Sequence, residues 1–480
     1  MLSVSARSLS QLLSDWRAVG SAATPTSAYA ALADRIRLLV LDGRIPLDTR
    51  LPAERELAAT LELSRTTVTA AYSLLRNAGF LASVRGSGSV ARLPHSTPRA
   101  PEEERSGVLD FTKATLPAHS SLAAAALRAA ELLPAYLGHN GFDTIGLPAL
   151  RHAIADRYRA RGLPTEPDEI LVTIGAQHAI ALISRVLLRR GDNVLVESPS
   201  YPHAIEALRE SGGRLRPVSV SVEDGWDAAG LDQVLRRSSP TLGYLMPDFH
   251  NPTGQTMPDE LREKVVALAS SVGTILVADE TVSELAIDGP VHSLPFAAHG
   301  SPGARPIVIG SVGKSLWGGL RIGWIRAERP IVQRLARARM TGDLGTPLLE
   351  QLIVADLLRD YDDILETRRE QLRVGRDYLV GALAARLPEW STPSPDGGLT
   401  LWANLGAPVS SQLTLAARNE GLLLSAGPLF GIDGACERFL RIPFSYPRAD
   451  LEHAVSAMAR AWQRVGRNAV TEQSDLGALV

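Results

Sequence analysis

Short apolar runs that alternate with helical stretches constrain this chain more than any other feature. From about residue 108 onward, Ile170–Ile174, Asn193–Glu197, Leu242–Met246, Thr274–Ala278 and Pro306–Ile309 each read as a buried strand, and helical patterns separate them. Strands that are apolar on both faces need cover on both faces. The expectation is therefore a multidomain α/β chain whose main sheet is mixed but mostly parallel and lies between helices. A long helical region is expected through 347–387. A smaller α+β segment follows, about 388–465, with a strand near Leu399–Ala403 and an amphipathic helix near 447–464. At 480 residues the chain is too long for one domain, and a 45% apolar content supports more than one core.

The stretch before residue 108 has a different texture. Residues 1–24 hold one short amphipathic piece (Leu9, Leu12, Leu13, Trp16) and read as an extension. Residues 25–92 show three helical patterns, near 27–42, 54–61 and 65–78, and a hairpin-like Leu81–Val90. Residues 93–107, with three prolines and Glu102-Glu103-Glu104, read as a solvated linker, and 466–480 as a polar tail. Arg128 and Arg185 interrupt the Ala/Leu-rich runs, so no membrane span is expected. The first residues show no secretion signal, and the single cysteine, Cys436, has no internal disulfide partner. Together these point to the cytoplasm.

Between 50 and 79 the pattern is helix, short turn, helix. Ser64 is placed to cap the second helix, which leaves Val68, Ala71, Tyr72 and Leu75 on one buried face. Arg65, Thr66, Thr67 and Thr69 then lie at its exposed N-terminal end, where a recognition helix meets bases and phosphates. The glycines of Arg85-Gly-Ser-Gly88 permit a tight wing. Residues 28–92 carry nine arginines and six acids, a net of +3, against −2 for the whole chain. The partner expected for this module is double-stranded DNA.

Lys314 is one of three lysines among fifty basic residues. It follows an apolar strand in Ile307-Val-Ile-Gly-Ser-Val-Gly-Lys314, seven positions before Arg321. An amine that forms an imine with an aldehyde cofactor needs such a setting: held at a strand end, partly desolvated, near groups that grip a phosphate. Other segments supply what such a cofactor requires. In Thr173-Ile-Gly-Ala-Gln177 the N–H groups of Ala176 and Gln177 suit a phosphate at a helix N-terminus. Tyr201, in Ser198-Pro-Ser-Tyr201-Pro, is placed to stack on a ring. Asn251, in His250-Asn251-Pro-Thr-Gly254, is placed to donate to a phenolic oxygen. Asp279 ends an apolar strand and would pair with a pyridinium nitrogen, while Ser311 and Arg321 complete the phosphate grip. The set fits pyridoxal 5'-phosphate.

The first module, through Leu41-Asp-Gly-Arg-Ile-Pro-Leu-Asp-Thr-Arg50-Leu-Pro-Ala-Glu-Arg-Glu-Leu-Ala58 and Ser64-Arg-Thr-Thr-Val68, resembles the winged helix-turn-helix of the GntR family. The resemblance implies DNA contacts from Arg50, Arg55, Ser64, Arg65, Thr66, Thr67, Arg85 and Gly88. Residues 108–465 resemble fold-type I aminotransferases. The match includes Phe142-Asp-Thr-Ile-Gly146 upstream, then Gly397-Gly-Leu-Thr-Leu-Trp402 and Leu440-Arg-Ile-Pro-Phe-Ser445 downstream. It implies that Arg441 clamps the carboxylate of an amino acid. Relatives of that kind carry tyrosines where this chain has Thr281 and Phe142. The fusion of the two modules resembles the MocR family of transcription regulators. That implies a head-to-tail homodimer, pyridoxal phosphate as ligand, and an amino-acid or amine effector that changes operator binding. The rival is a true aminotransferase with an accessory DNA-binding module.

Overall fold

The computed structural model describes residues 3–13, 27–41, 44–46, 48–84, 88–92, 108–289, 294–301 and 303–465. The expected linker, the tail, Trp16 and Arg85 lie outside these residues.

In the first module, α1 (Ala6–Leu13), α2 (Ala28–Leu41), α3 (Glu54–Leu61) and α4 (Arg65–Asn77) precede a hairpin of β1 (Leu81–Val84) and β2 (Gly88–Ala91). The hairpin pairs Leu81 with Ala91 and Val84 with Gly88. Leu9 and Leu13 of α1 join Leu32, Ile36, Leu57, Val68, Tyr72 and Leu75 in one core. The helix placed outside the module by its sequence is therefore part of it, and the module's core begins before residue 25. The Tyr72 hydroxyl, fully buried, donates to the Pro52 carbonyl at 3.0 Å and ties α4 to the segment that enters α3.

The large domain opens with β3 (Leu109–Asp110), α5 (Leu122–Leu132) and α6 (Pro148–Ala160). Its eight-stranded sheet contains β4 (Ile170–Thr173), β5 (Asn193–Ser198), β6 (Arg214–Ser221), β7 (Gly225–Trp226), β8 (Leu242–Leu245), β9 (Ile275–Asp279), β10 (Ile307–Ser311) and β11 (Gly323–Arg326). The spatial order is β4-β11-β10-β9-β8-β5-β6-β7. From β10 through β6 the neighbours are parallel, whereas β11 runs against both β10 and β4. All five expected strands form. β6 was not among them, because it runs near an edge with alternating exposure and carries Pro217, so no apolar run marks it. Helices α7 (Gly175–Leu187), α8 (Pro202–Glu210), α9 (Ala228–Ser238), α10 (Asp259–Ser271) and α11 (Arg329–Arg339) cover the sheet. Three apolar cores meet the sheet, one on one face and two sharing the other.

The long helical region is two helices, α12 (Leu348–Leu357) and α13 (Tyr361–Arg386), broken by a single 3-10 turn at Leu358–Asp360. The smaller subdomain holds β12 (Thr400–Asn404), α14 (Ser410–Asn419), β13 (Leu422–Leu423), β14 (Ser425–Ala426), β15 (Phe439–Pro443) and α15 (Arg448–Arg464). Its antiparallel sheet runs β12-β15-β14. The strand that opens the large domain does not join the large sheet. Instead β3 pairs with β13, Leu109 opposite Leu422.

Candidate cofactor site and DNA-binding face

The C-terminal ends of parallel strands are where α/β folds gather ligands, because helix N-termini and loop ends converge there. Here β9 ends on Asp279, β10 on Ser311, β5 leads into Tyr201, and the turn after β8 carries Asn251. β4 leads into α7, whose first turn holds Ala176 and Gln177. These residues, with Lys314, Arg321 and Arg441, all line one cavity of about 630 Å³, within the usual range for a small-molecule site. Every cofactor and carboxylate residue expected from the sequence is brought to this one place.

Lys314 lies in the turn after β10, and its Nζ donates to the Ala114 carbonyl at 2.7 Å. Burial, helped by the positive charge of Arg441, lowers its pKa to about 8. The Arg321 guanidinium donates to Ile174 O at 3.1 Å and to Gly318 O at 3.4 Å. It lies directly against Gly175, whose φ is +79°; a Cβ there would stand 2.8 Å from Nη2. Ser311 Oγ donates to Ile322 O at 3.1 Å and accepts from Gly313 N at 3.1 Å, which fixes the turn that carries the lysine.

Asp279 is buried and accepts on both oxygens. The Tyr244 hydroxyl donates to Oδ2 at 2.7 Å, and Thr281 gives its N–H at 3.0 Å and its hydroxyl at 2.5 Å to Oδ1. Tyr244 was not foreseen: a tyrosine inside an apolar strand reads as core, and only the strand register brings it to the acid. Burial raises its pKa well above 10, so its proton stays on the oxygen. Thr281, where the resemblance led us to expect a tyrosine, turns its hydroxyl to Asp279. The Tyr201 hydroxyl is pushed up to about 12, first by burial and then by Asp279.

Arg441, on β15, is buried at the far wall. It donates through Nη2 to Thr112 O and to Ser425 Oγ, and its guanidinium lies 4.9 Å from the Phe430 ring centre. Burial lowers its pKa to about 10. Its Nε, Gln177 Oε1 and Asn251 Oδ1 have no hydrogen-bond partner among the described residues. Buried polar atoms without partners are costly, and three of them at one cavity fit a polar ligand there. A helix N-terminus, an arginine and a serine at one end, an acid on the floor and an amine beside it match phosphate, pyridine nitrogen and aldehyde. The residues fit pyridoxal phosphate. Of the three lysines, Lys113 and Lys314 line this cavity, while Lys264 is exposed on α10.

On the first module, Ser64 caps α4 as expected, with Oγ accepting from Thr67 N at 3.1 Å. The same oxygen lies 2.7 Å from the hydroxyls of both Thr66 and Thr67. Arg50, Arg55, Arg65, Thr66 and Gly88 are exposed, and Thr67 is half-buried. Gly88, at φ +78°, starts β2 beside the Arg50 side chain. Thr69 departs from the expectation: it is half-buried and its hydroxyl donates to Glu54 at 2.7 Å, so it braces α3 against α4. Among the described residues no helix is long and apolar enough to cross a membrane, and no cluster of metal-ligating side chains occurs.

Comparison with known proteins agrees with this geometry. The family model for aminotransferase class I and II matches residues 109–458, and that for bacterial regulatory proteins of the gntR family matches 28–90. The 2-aminoadipate transaminase of Thermus thermophilus is 33% identical over 326 residues, 67% of this chain and 80% of that enzyme. YdfD of Bacillus subtilis, described as an uncharacterized HTH-type transcriptional regulator, is 30% identical over 64% of this chain and 63% of its own length. Among solved structures, LysN of Thermus thermophilus, an alpha-aminoadipate aminotransferase complexed with N-(5'-phosphopyridoxyl)-L-leucine, superposes with a TM-score of 0.68. It is 30% identical, over 75% of this chain and 93% of that one. The Pyrococcus horikoshii kynurenine aminotransferase, at 24% identity, shares the fold with a TM-score of 0.69, over 75% of this chain and 91% of that one. The chain belongs to the class I and II aminotransferase family and, through the gntR-family module fused ahead of that domain, to the MocR-type regulators.

Proposed function

We propose that this chain is a cytoplasmic transcription regulator that binds pyridoxal phosphate and whose grip on operator DNA changes with the state of its cofactor site. The observation that carries this reading is the presence, in one chain, of a capped recognition helix with exposed arginine and threonine and a complete cofactor cavity. When bound, the cofactor supplies an aldehyde for amines and an electron-accepting ring. Ala176 N, Gln177 N, Ser311 and Arg321 hold its phosphate. Asp279 holds the proton at the pyridine nitrogen, with Tyr244 and Thr281 fixing the carboxylate. Asn251 and Tyr201 orient the ring. At a pKa of about 8, Lys314 is neutral in roughly a tenth of molecules at pH 7, so it is a competent nucleophile toward the aldehyde. Arg441 takes the carboxylate of an amino-acid effector by a charge-assisted pair.

Arg50, Arg55, Arg65, Thr66, Thr67 and the wing contact DNA, and Ser64 holds the recognition helix in shape. A homodimer, head-to-tail, places two such modules on two half-sites. Exposed Leu127, Leu137 and Phe142 support it, and the Asp143–Gly345 bridge brings Phe142 beside exposed Leu344. These are exposed apolar side chains of the kind that a second copy would cover.

The second reading, a working aminotransferase, is favoured by the 33% identity to a 2-aminoadipate transaminase. Footprinting on DNA upstream of the chain's own gene, with and without pyridoxal phosphate, separates the two. A protected site that changes with cofactor is the expected result. No protection, together with turnover of an amino acid and a 2-oxo acid, would replace the regulator by the enzyme.

A further inference from the structure

We propose that Thr112–Ala114 is a strap whose backbone carbonyls occupy the effector site's cations, and that its displacement by ligand is handed through β3 to the linker of the DNA-binding module. The inference rests on the reading above and adds the route by which occupancy reaches DNA.

Two residues of this segment engage the two functional cations. Thr112 O accepts from Arg441 Nη2, and Ala114 O accepts from Lys314 Nζ at 2.7 Å. Lys113, between them, also lines the cavity, and its Nζ pairs with Asp110 at 3.5 Å. Upstream, the strap is tied to the small subdomain. Leu109 N donates to Gly421 O at 2.8 Å and Phe111 N to Leu423 O at 2.9 Å. The Phe111 ring stacks on Tyr446 at 4.2 Å, and the Tyr446 hydroxyl reaches the carbonyls of Asp110 and Lys113. Downstream it is tied to the large domain, through His119 N to Leu316 O at 3.0 Å and Arg368 Nη2 to Pro117 O at 2.7 Å. The segment therefore bridges the two parts across the mouth of the cavity.

Ligands of the proposed kind compete for both of these bonds. An amine bonded covalently to an aldehyde carbon no longer donates to Ala114 O as an ammonium. A carboxylate on Arg441 adds the attraction of opposite charges and can accept from two guanidinium nitrogens, where Thr112 O offers one neutral acceptor. Carbonyls that lose their donors must find water or new partners, so residues 112–114 move. Upstream of them β3, held by β13, leads back to residue 108, where the chain arrives from the DNA-binding module. A shift of the strap reaches residue 108 through β3 and the small subdomain that holds it, and no contact between the module and the cavity is needed.

The test uses the full chain, the DNA protected in the footprint, and two probes: pyridoxal phosphate and N-(5'-phosphopyridoxyl)-L-leucine. Hydrogen exchange in a peptide covering 108–116 should change with the leucine adduct, which brings a carboxylate to Arg441. A Gly-Ser-Gly-Ser insertion between Gly107 and Val108 should keep probe binding and that exchange change. It should also keep operator affinity without ligand, but reduce the ligand-induced shift in operator Kd to less than twofold. An insertion variant with the full shift, or a strap whose exchange ignores the adduct in wild type, would overturn the strap. Wild-type protein that binds neither probe would overturn the reading of the cavity itself, and the strap with it.

Discussion

Replacing Gly175 with alanine tests the phosphate end of the site without touching a charged group. Gly175 begins α7 at φ +79°, a conformation that costs an L-residue about 1–2 kcal/mol. The added methyl would stand 2.8 Å from Arg321 Nη2 and 3.2 Å from Cζ. The backbone at this point is the helix start itself, so the guanidinium must give way. Arg321 then leaves its bond to Ile174 O and its place beside the helix N-terminus. A charged hydrogen bond of the kind it would offer a phosphate is worth about 1.5–3 kcal/mol. Converted at 1.4 kcal/mol per tenfold, Gly175→Ala should weaken pyridoxal phosphate binding by about 10- to 100-fold. Absorbance titration of apo-protein reads the Kd, with Arg321→Ala and the double variant alongside. Because both changes act on one guanidinium, the double variant should lose little more than Arg321→Ala alone. Full additivity, or a Gly175→Ala protein with wild-type affinity, would refute the reasoning.

Three further outcomes follow from single groups. The neutral form of Lys314 increases as pH rises, so cofactor attachment to apo-protein should accelerate up to about pH 8 and then level off, in stopped-flow absorbance across pH. A midpoint near the 10.5 of an ordinary lysine would remove the case for a desolvated amine. Ser64→Ala removes the cap of α4 and should cost about 1 kcal/mol, read by denaturant unfolding, with weaker operator binding because the recognition helix frays where it meets DNA. Unchanged stability would count against the capping geometry. Tyr244→Phe leaves Asp279 one donor short in a buried strand. It should lower the stability of the apo-protein by about 1.5–3 kcal/mol, the worth of a hydrogen bond to a charged group. An equal thermal midpoint for the two proteins would contradict this.

Much of the architecture is legible because buried parallel strands announce themselves as apolar runs, and the site lies at their ends. Ser64, Lys314, Asp279 and Arg321 could be placed by local rules: a cap before a helix, an amine or acid after a strand. What escaped notice depends on register and return of the chain. β6 is hidden by its exposed edge and Pro217. Tyr244 meets Asp279 only because β8 and β9 are neighbours, with Tyr244 opposite Val277. Thr69 looked free in the recognition helix because Glu54, fifteen residues earlier, is not a helical neighbour. The pairing of β3 with β13 joins residues more than three hundred apart, and no local pattern signals it.

The scarcity of lysine turns the cavity into a chemical reporter. Forty-seven of the fifty basic residues are guanidinium groups, which amine-directed acylating or reductive reagents leave alone. Two of the three lysines line one cavity, and the third, Lys264, is exposed on α10 and serves as an internal reference. Peptide mass spectrometry after brief labelling therefore reads the occupancy of the site against a built-in control. It does so in the unaltered protein, on or off DNA, with no dye or mutation to install.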